Sequence, residues 1–293
     1  MSDFTAVFRD DFNGSSLNRD VWNTLYSGTY WNGAFAWTPS QIEVGGGVLT
    51  IATENQGGSW ASGGLSTIPE GQTYGSYEFR ARLDEGQGTS AAILLWPTSN
   101  QWTDEVDIVE AFRGDRQAFA FTNHGDPNET QYIQLDLSQW HDYRLDWTPG
   151  ALTLSVDGAE RGRITTDVPS QPMAFGMQGH VHADWEGWFG GAPDGSTPGR
   201  VELEVDWVKV SAWTPGQGTE QEAPAAQMVD VAADTSIAAQ DGATDWLAAA
   251  ALYVQNDGTW EGSWRNQVGS GQITLEDVAE RLQAGLGQWE FWH

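Results

Sequence analysis

Glu105, Asp107 and Glu110 stand close together in the stretch DEVDIVEAF, residues 104–112, among Val106, Ile108 and Val109. Alternate side chains of a β-strand share a face. Glu105 and Asp107 therefore lie together, and Glu110 is out of step by one residue. A β-bulge between Asp107 and Glu110 adds the missing residue and restores the phase, so that all three carboxyls crowd one face. That crowding is costly, because like charges at close range resist joint ionisation. Glycoside hydrolysis with retention makes use of it. The reaction needs two carboxyl groups about 5–5.5 Å apart, one to attack the anomeric carbon and one to hold a proton for the leaving oxygen. A third carboxylate nearby biases which of them keeps the proton. Two other readings compete on these residues alone: a solvated strand face in an acidic chain, and a calcium cage, since hard cations take carboxylate oxygens. The apolar neighbours Val106, Ile108, Val109 and Phe112 speak against a loose surface strand. Calcium cages usually draw on loops and backbone carbonyls rather than on one strand face.

The elements that must position these acids read as strands. QIEVGGGVLTIAT, YGSYEFRARL, RQAFAFTNH, HDYRLDWTPG, ALTLSVDGAERGRI and GRVELEVDWVKVSAW alternate between clusters of Gly, Asn, Asp and Pro. Asp157-Gly158 between two alternating runs is a hairpin signal. Many short strands with frequent turns predict an all-β fold, a β-jelly-roll sandwich over residues 1–213 with the acidic strand lining a concave substrate cleft. Composition shifts after Trp213. Residues 214–240 read as a flexible linker rich in Ala, Gln, Gly and Pro. Residues 241–293 read as a small helical C-terminal appendage, with DWLAAAALYVQNDG and TLEDVAERLQAGLG as its helices.

The net charge of −28 makes nucleic acid and anionic membranes poor partners. Lys209 is the sole lysine, and the absence of cysteine removes disulfides, zinc–thiolate sites and cysteine nucleophiles. The 17 tryptophans read as core packing or as sugar binding, since flat apolar rings match the C–H faces of pyranosides. No apolar run is long enough to span a bilayer, and MSDFTAVFRDDF lacks the pattern of a conventional signal peptide.

EVDIVE, residues 105–110, resembles the E-x-D-x-x-E strand of glycoside hydrolase family 16, the laminarinase-like β-jelly-roll enzymes. FRDDFNGSSLNRDVWNT, GGGVLTI, YGSYEFRARL, WHDYRLDWTPGALTLSVDG and VDWVKV resemble successive family segments in family order, covering nearly all of residues 6–213. The resemblance implies that Glu105 is the nucleophile, Glu110 the acid/base and Asp107 the carboxylate between them. It implies that Trp102 lines the cleft, that His124 lies near the acids and that Trp185 faces substrate. Tyr30, Trp31 and Trp37 are candidates for distal sugar contacts, and Arg80 for binding substrate hydroxyls or pairing with an acid. A structural calcium is implied at Asp11, Gly47 and Asp206, and no cofactor for the chemistry. Trp96 departs from the pattern, because the family commonly places a tryptophan earlier in that strand.

The expected activity is endo-acting, retaining cleavage of β-1,3- or mixed β-1,3/1,4-glucan. The alternatives are an agarase-type galactan hydrolase and a glycan-binding module without catalysis. Polysaccharide substrates imply an extracellular location, reached without an N-terminal signal, and the tail is a candidate tether to a larger assembly.

Overall fold

The computed structural model describes residues 3–67, 71–100, 104–187 and 190–215. The chain divides into two units, Met1–Gln227 and Met228–His293, and every described residue lies in the first. The expected appendage, and all of the expected linker beyond residue 215, lie outside the described residues.

The described residues form two sheets and one short 3₁₀ turn. One sheet runs β13 (Glu129–Gln134), β12 (Ala118–Asn123), β11 (Val106–Glu110), β10 (Thr89–Pro97), β17 (Met173–Val181), β8 (Gly64–Ser66) and β2 (Thr24–Leu25). The other runs β16 (Ala159–Ile164), β15 (Ala151–Val156), β14 (His141–Thr148), β9 (Gly75–Leu83), β18 (Arg200–Trp213), β6 (Val48–Asn55), β7 (Trp60–Ser62), β4 (Phe35–Trp37) and β3 (Gly28–Thr29). In that sheet β1 (Phe4–Asp10) also pairs β18, and β5 (Ile42–Gly45) pairs β6. Neighbouring strands are antiparallel except β4 and β7. This is the expected sandwich.

Alternation writes the core directly. Tyr77, Phe79, Ala81 and Leu83 of β9 are buried, as are Ala91, Ile93 and Leu95 of β10. The two sheets meet through aromatic contacts: Tyr77 stacks on Phe175 at 5.7 Å between ring centres, and Phe119 meets Tyr143 edge-on at 6.1 Å. The intervening residues Ser90, Ala92, Leu94 and Trp96 of β10 take the opposite face, which is the face of the acids.

A buried arginine fixes the turns that frame this face. Arg116 donates from Nε to the Asp84 carbonyl at 2.8 Å, and from Nη1 to the Thr89 and Arg113 carbonyls at 2.9 and 2.8 Å. Nη2 donates to Thr89 Oγ1 at 2.8 Å. Burial lowers its pKa to about 10, opposed by the charges of Asp84, Asp115 and Glu85. The guanidinium thus joins the approach to β10 and the exit from β11.

Candidate active site

β11 carries the bulge that the acid spacing requires. Against β10, Ala92 pairs Glu110 and Ile93 pairs Val109, but Leu94 pairs Asp107, so Ile108 has no partner of its own. Against β12, Asp107 pairs Thr122 and Glu110 pairs Ala120, leaving Ile108 and Val109 opposite Phe121 alone. Ile108 and Val109 both enter the core, where their burial holds the extra residue in place. Asp107 and Glu110 consequently share the outer face with Leu94 and Ala92. Glu105, one residue before the strand, is in phase with Asp107, and its carbonyl accepts the His124 backbone N–H at 3.0 Å.

His124 follows β12 directly and reaches into the acid row. Its Nε2 lies 2.8 Å from Asp107 Oδ2 and 4.0 Å from Glu105 Oε2. Asn128 Nδ2 donates to His124 Nδ1 at 3.1 Å, which leaves the Nε2 hydrogen for Asp107. Asp107 is thereby held as an acceptor, and its charge acts on both glutamates. Burial pushes the Glu105 carboxyl well above the usual range, reinforced by Asp107 and then Glu110. Burial and Asp107 do the same to Glu110. Carboxyl groups this close resist joint ionisation, and both glutamates are shifted toward holding a proton. The His124 Nε2 that bonds Asp107 also stands 4.0 Å from Glu105 Oε2.

Glu105, Asp107 and His124 are also the one group of three acidic or histidine side chains, among the described residues, whose ligand atoms lie within 4.8 Å of one another. Within it His124 and Asp107 close on each other as a hydrogen bond.

On the β17 side of the acids lies an aromatic wall. Tyr30 packs on His180 with ring centres 5.0 Å apart and on Trp37 at 4.8 Å. Burial raises the Tyr30 hydroxyl pKa, and Glu105, Glu186 and Glu110 add to the rise, which places this ring within electrostatic range of both glutamates. Burial pushes Tyr26 up to about 12 and His180 down to about 4, so both stay neutral. Asn32 ties this wall to the loop after β17: its Nδ2 donates to the Val181 carbonyl at 2.9 Å and to Glu186 Oε2 at 3.0 Å. Glu186 Oε2 also accepts the Ala183 N–H at 2.5 Å. These bonds bring Trp31 and Trp185 side by side, 5.2 Å between ring centres, and both remain exposed.

Sequence reasoning left out Tyr26, Asn32, Asn128, His180 and Glu186. The alternating histidines of GHVHAD, residues 179–184, were a signal for His180. A single Asn or Glu in a loop carries no periodicity to read.

Other expected site residues fall elsewhere. Trp102 lies outside the described residues. Trp37 is only 7% exposed, with Nε1 donating to the Gly179 carbonyl at 3.1 Å. It backs Tyr30 and offers no open face to a sugar, which corrects the expectation of direct contact. Of the two roles expected for Arg80, it takes acid pairing, and the substrate-binding role is corrected. It sits on β9 in the other sheet and pairs with Asp142 at 3.0 Å and Asp206 at 3.6 Å. Its core-facing neighbours Phe79 and Ala81 turn it away from the acids' sheet. Asp11 is bound by Arg9, with Nη2 at 2.7 Å and Nε at 2.9 Å from the same oxygen. Gly47 turns the β5–β6 hairpin at φ +82°.

Residues 30–209 match the family model for Glycosyl hydrolases family 16. The chain is 28% identical over 245 residues to Endo-1,3-1,4-beta-glycanase EglC of Rhizobium meliloti (strain 1021), covering 70% of this chain and 51% of that protein. It is 29% identical over 255 residues to a Beta-glucanase of Rhodothermus marinus, covering 76% of this chain and 82% of that one. The solved laminarinase from Rhodothermus marinus is similar with a TM-score of 0.60 and 25% identity, over 72% of this chain and 98% of that chain. The endo-beta-1,3-glucanase from Pyrococcus furiosus shares the fold, with a TM-score of 0.61 and 21% identity over 72% of this chain and 95% of its own. This chain spans about half the length of the Rhizobium relative.

Proposed function

The chain belongs to Glycosyl hydrolases family 16, and we propose that it is an endo-acting, retaining glycoside hydrolase cleaving β-1,3- or mixed β-1,3/1,4-glucan by double displacement. The β11 bulge carries this reading, because it alone sets Glu110 on the face of Glu105 and Asp107.

Ionised Glu105 attacks the anomeric carbon while Glu110 gives its proton to the departing glycosidic oxygen. The C–O bond to the leaving chain breaks and an ester to Glu105 forms with inversion. Glu110, now ionised, takes a proton from water as that water attacks the same carbon. The ester breaks with a second inversion, so the new reducing end keeps the β configuration and both glutamates return to their starting states. Asp107, bonded to His124, positions the row and keeps the proton on Glu110. Carboxyl groups supply nucleophile, acid and base, and the double displacement calls for no cofactor.

Asp107→Asn removes the charge that helps to raise Glu110. Glu110 then loses its proton at lower pH, and the alkaline limb of the kcat/KM profile moves to lower pH. The rate at the optimum falls about 10- to 100-fold, short of the 10²–10⁴ that a general acid supplies in full. An unmoved alkaline limb contradicts this role for Asp107.

Laminarin, lichenan and agarose, assayed for reducing ends with product sizing, test the substrate class. The reading expects intermediate oligosaccharides early from laminarin or lichenan. Cleavage of agarose alone assigns the galactan alternative, and binding without cleavage assigns a silent module. The names of the relatives, a Beta-glucanase and an Endo-1,3-1,4-beta-glycanase, support β-glucan over agarose. Polymers of this size place the work outside the cell, and residues beyond 215 remain candidates for a tether. Structural calcium at Asp11, Gly47 and Asp206 has little support from their placement, since Arg9 and Arg80 already answer the two carboxylates.

A further inference from the structure

We propose that Tyr132, steadied by Phe112, is a second sugar platform that holds the same glucan chain roughly a disaccharide away from the bond being cut. The inference rests on the hydrolase reading above and adds a contact on the flank opposite the Trp31–Trp185 pair.

Register places it. Tyr132 of β13 pairs Ala120 of β12, Ala120 pairs Glu110, Glu110 pairs Ala92 of β10, and Ala92 pairs Gln178 of β17. Side chains directly opposite one another in a sheet share a face, so Tyr132 stands on the face of the acids. It is two strands from Glu110, about 10 Å at the usual strand spacing. Glu110 is flanked in this row by alanines, so no bulkier side chain of the row stands between it and Tyr132.

Exposure singles the residue out. Four large apolar side chains are exposed among the described residues: Val7 at 52%, Trp31 at 51%, Tyr132 at 56% and Trp185 at 63%. The three aromatic ones border the acid row, two beyond β17 and one on β13. An aromatic ring open to water costs solvation that packing does not recover, and the C–H face of a pyranoside offers that recovery. Phe112 continues the phase of Glu110 and meets Tyr132 edge-on with ring centres 5.3 Å apart, which limits how far the Tyr132 ring can tilt. A chain lying across the strands from Trp31 and Trp185 over Glu105 and Glu110 meets Tyr132 next. Binding on both flanks is what internal cleavage of a long chain demands.

Tyr132→Ala, measured on β-glucan oligosaccharides of rising length and on polymer, tests the platform. We expect the loss in kcat/KM to grow with chain length, from slight on the shortest substrate the parent cuts to about tenfold on polymer. Product sizes should shift with it, Tyr132→Phe should restore most of the rate, and the melting temperature should stay at the parental value because β13 is the sheet edge. Equal rates for parent and Tyr132→Ala at every length overturn the inference and leave the hydrolase reading standing. A loss that is the same at all lengths also overturns it, by assigning Tyr132 a structural role. A parent that cuts no β-glucan removes the hydrolase reading first, and the inference with it.

Discussion

Glu105→Gln yields a folded protein that still binds β-glucan and cleaves it at least about 10³ times more slowly than the parent. The amide keeps the shape of the side chain but cannot form the glycosyl ester, so the first displacement is lost and not merely slowed by misplacement. The same change should raise the melting temperature at neutral pH. Glu105 is half-buried beside Asp107 and Glu110, and that desolvation, with their charges, raises its pKa in the folded state. Its favourable contribution is therefore present below its unfolded pKa and is lost as pH rises through the folded value. At neutral pH the charge is a net cost that glutamine removes, and the gain in melting temperature vanishes in acid, where the carboxyl is protonated in both states. Calorimetry at neutral and acid pH, alongside a reducing-sugar assay, reads both effects. Parental rates in the variant remove Glu105 from the chemistry, and a lower melting temperature at neutral pH contradicts the burial argument.

Glu110→Gln should slow glucan cleavage by about 10³-fold, within the range that a positioned proton donor supplies. The signature lies in the leaving group. A sugar hydroxyl departs poorly without a proton, whereas an activated aryl alcohol departs as an anion. The variant should therefore form its glycosyl-enzyme from an aryl glucoside at a rate much closer to the parent's, and then stall, because the base that activates water is missing. The alkaline limb of the pH profile should disappear with the acid. Burial and Asp107 hold the Glu110 carboxyl well above the ordinary range, so the parent's alkaline limb lies at higher pH than a free glutamate would give. An equal loss on glucan and aryl glucoside would assign Glu110 to binding or folding.

Legibility followed periodicity. The out-of-step Glu110 was readable because a strand has period two and the apolar residues Ile108 and Val109 had to enter the core together. The sandwich was readable for the same reason, from runs such as YGSYEFRARL that alternate throughout. Alternation says which side chains share a face of one strand, but not which sheet the strand joins. Arg80 kept two roles open on that account: its phase was plain, and its membership of the sheet without the acids, which leaves it to ion pairs, was not. Trp31 and Trp37 looked alike in sequence and part company in space, because β4 buries Trp37 against Gly179 while the turn before it leaves Trp31 exposed. Tyr132 hid in plain alternation as well. Its meaning comes only from register with Glu110 across β12, a pairing between segments that no local pattern encodes.

Azide rescue tests the two glutamate roles most directly. With an activated aryl glucoside, azide entering the space left in Glu105→Ala displaces the leaving group in a single step, and the account predicts an α-glycosyl azide. In Glu110→Ala the ester to Glu105 still forms, azide displaces it in turn, and the predicted product is the β-glycosyl azide. Exchange of the two anomers between the variants, or a β product from Glu105→Ala, would contradict the assignment of Glu105 as the attacking carboxylate.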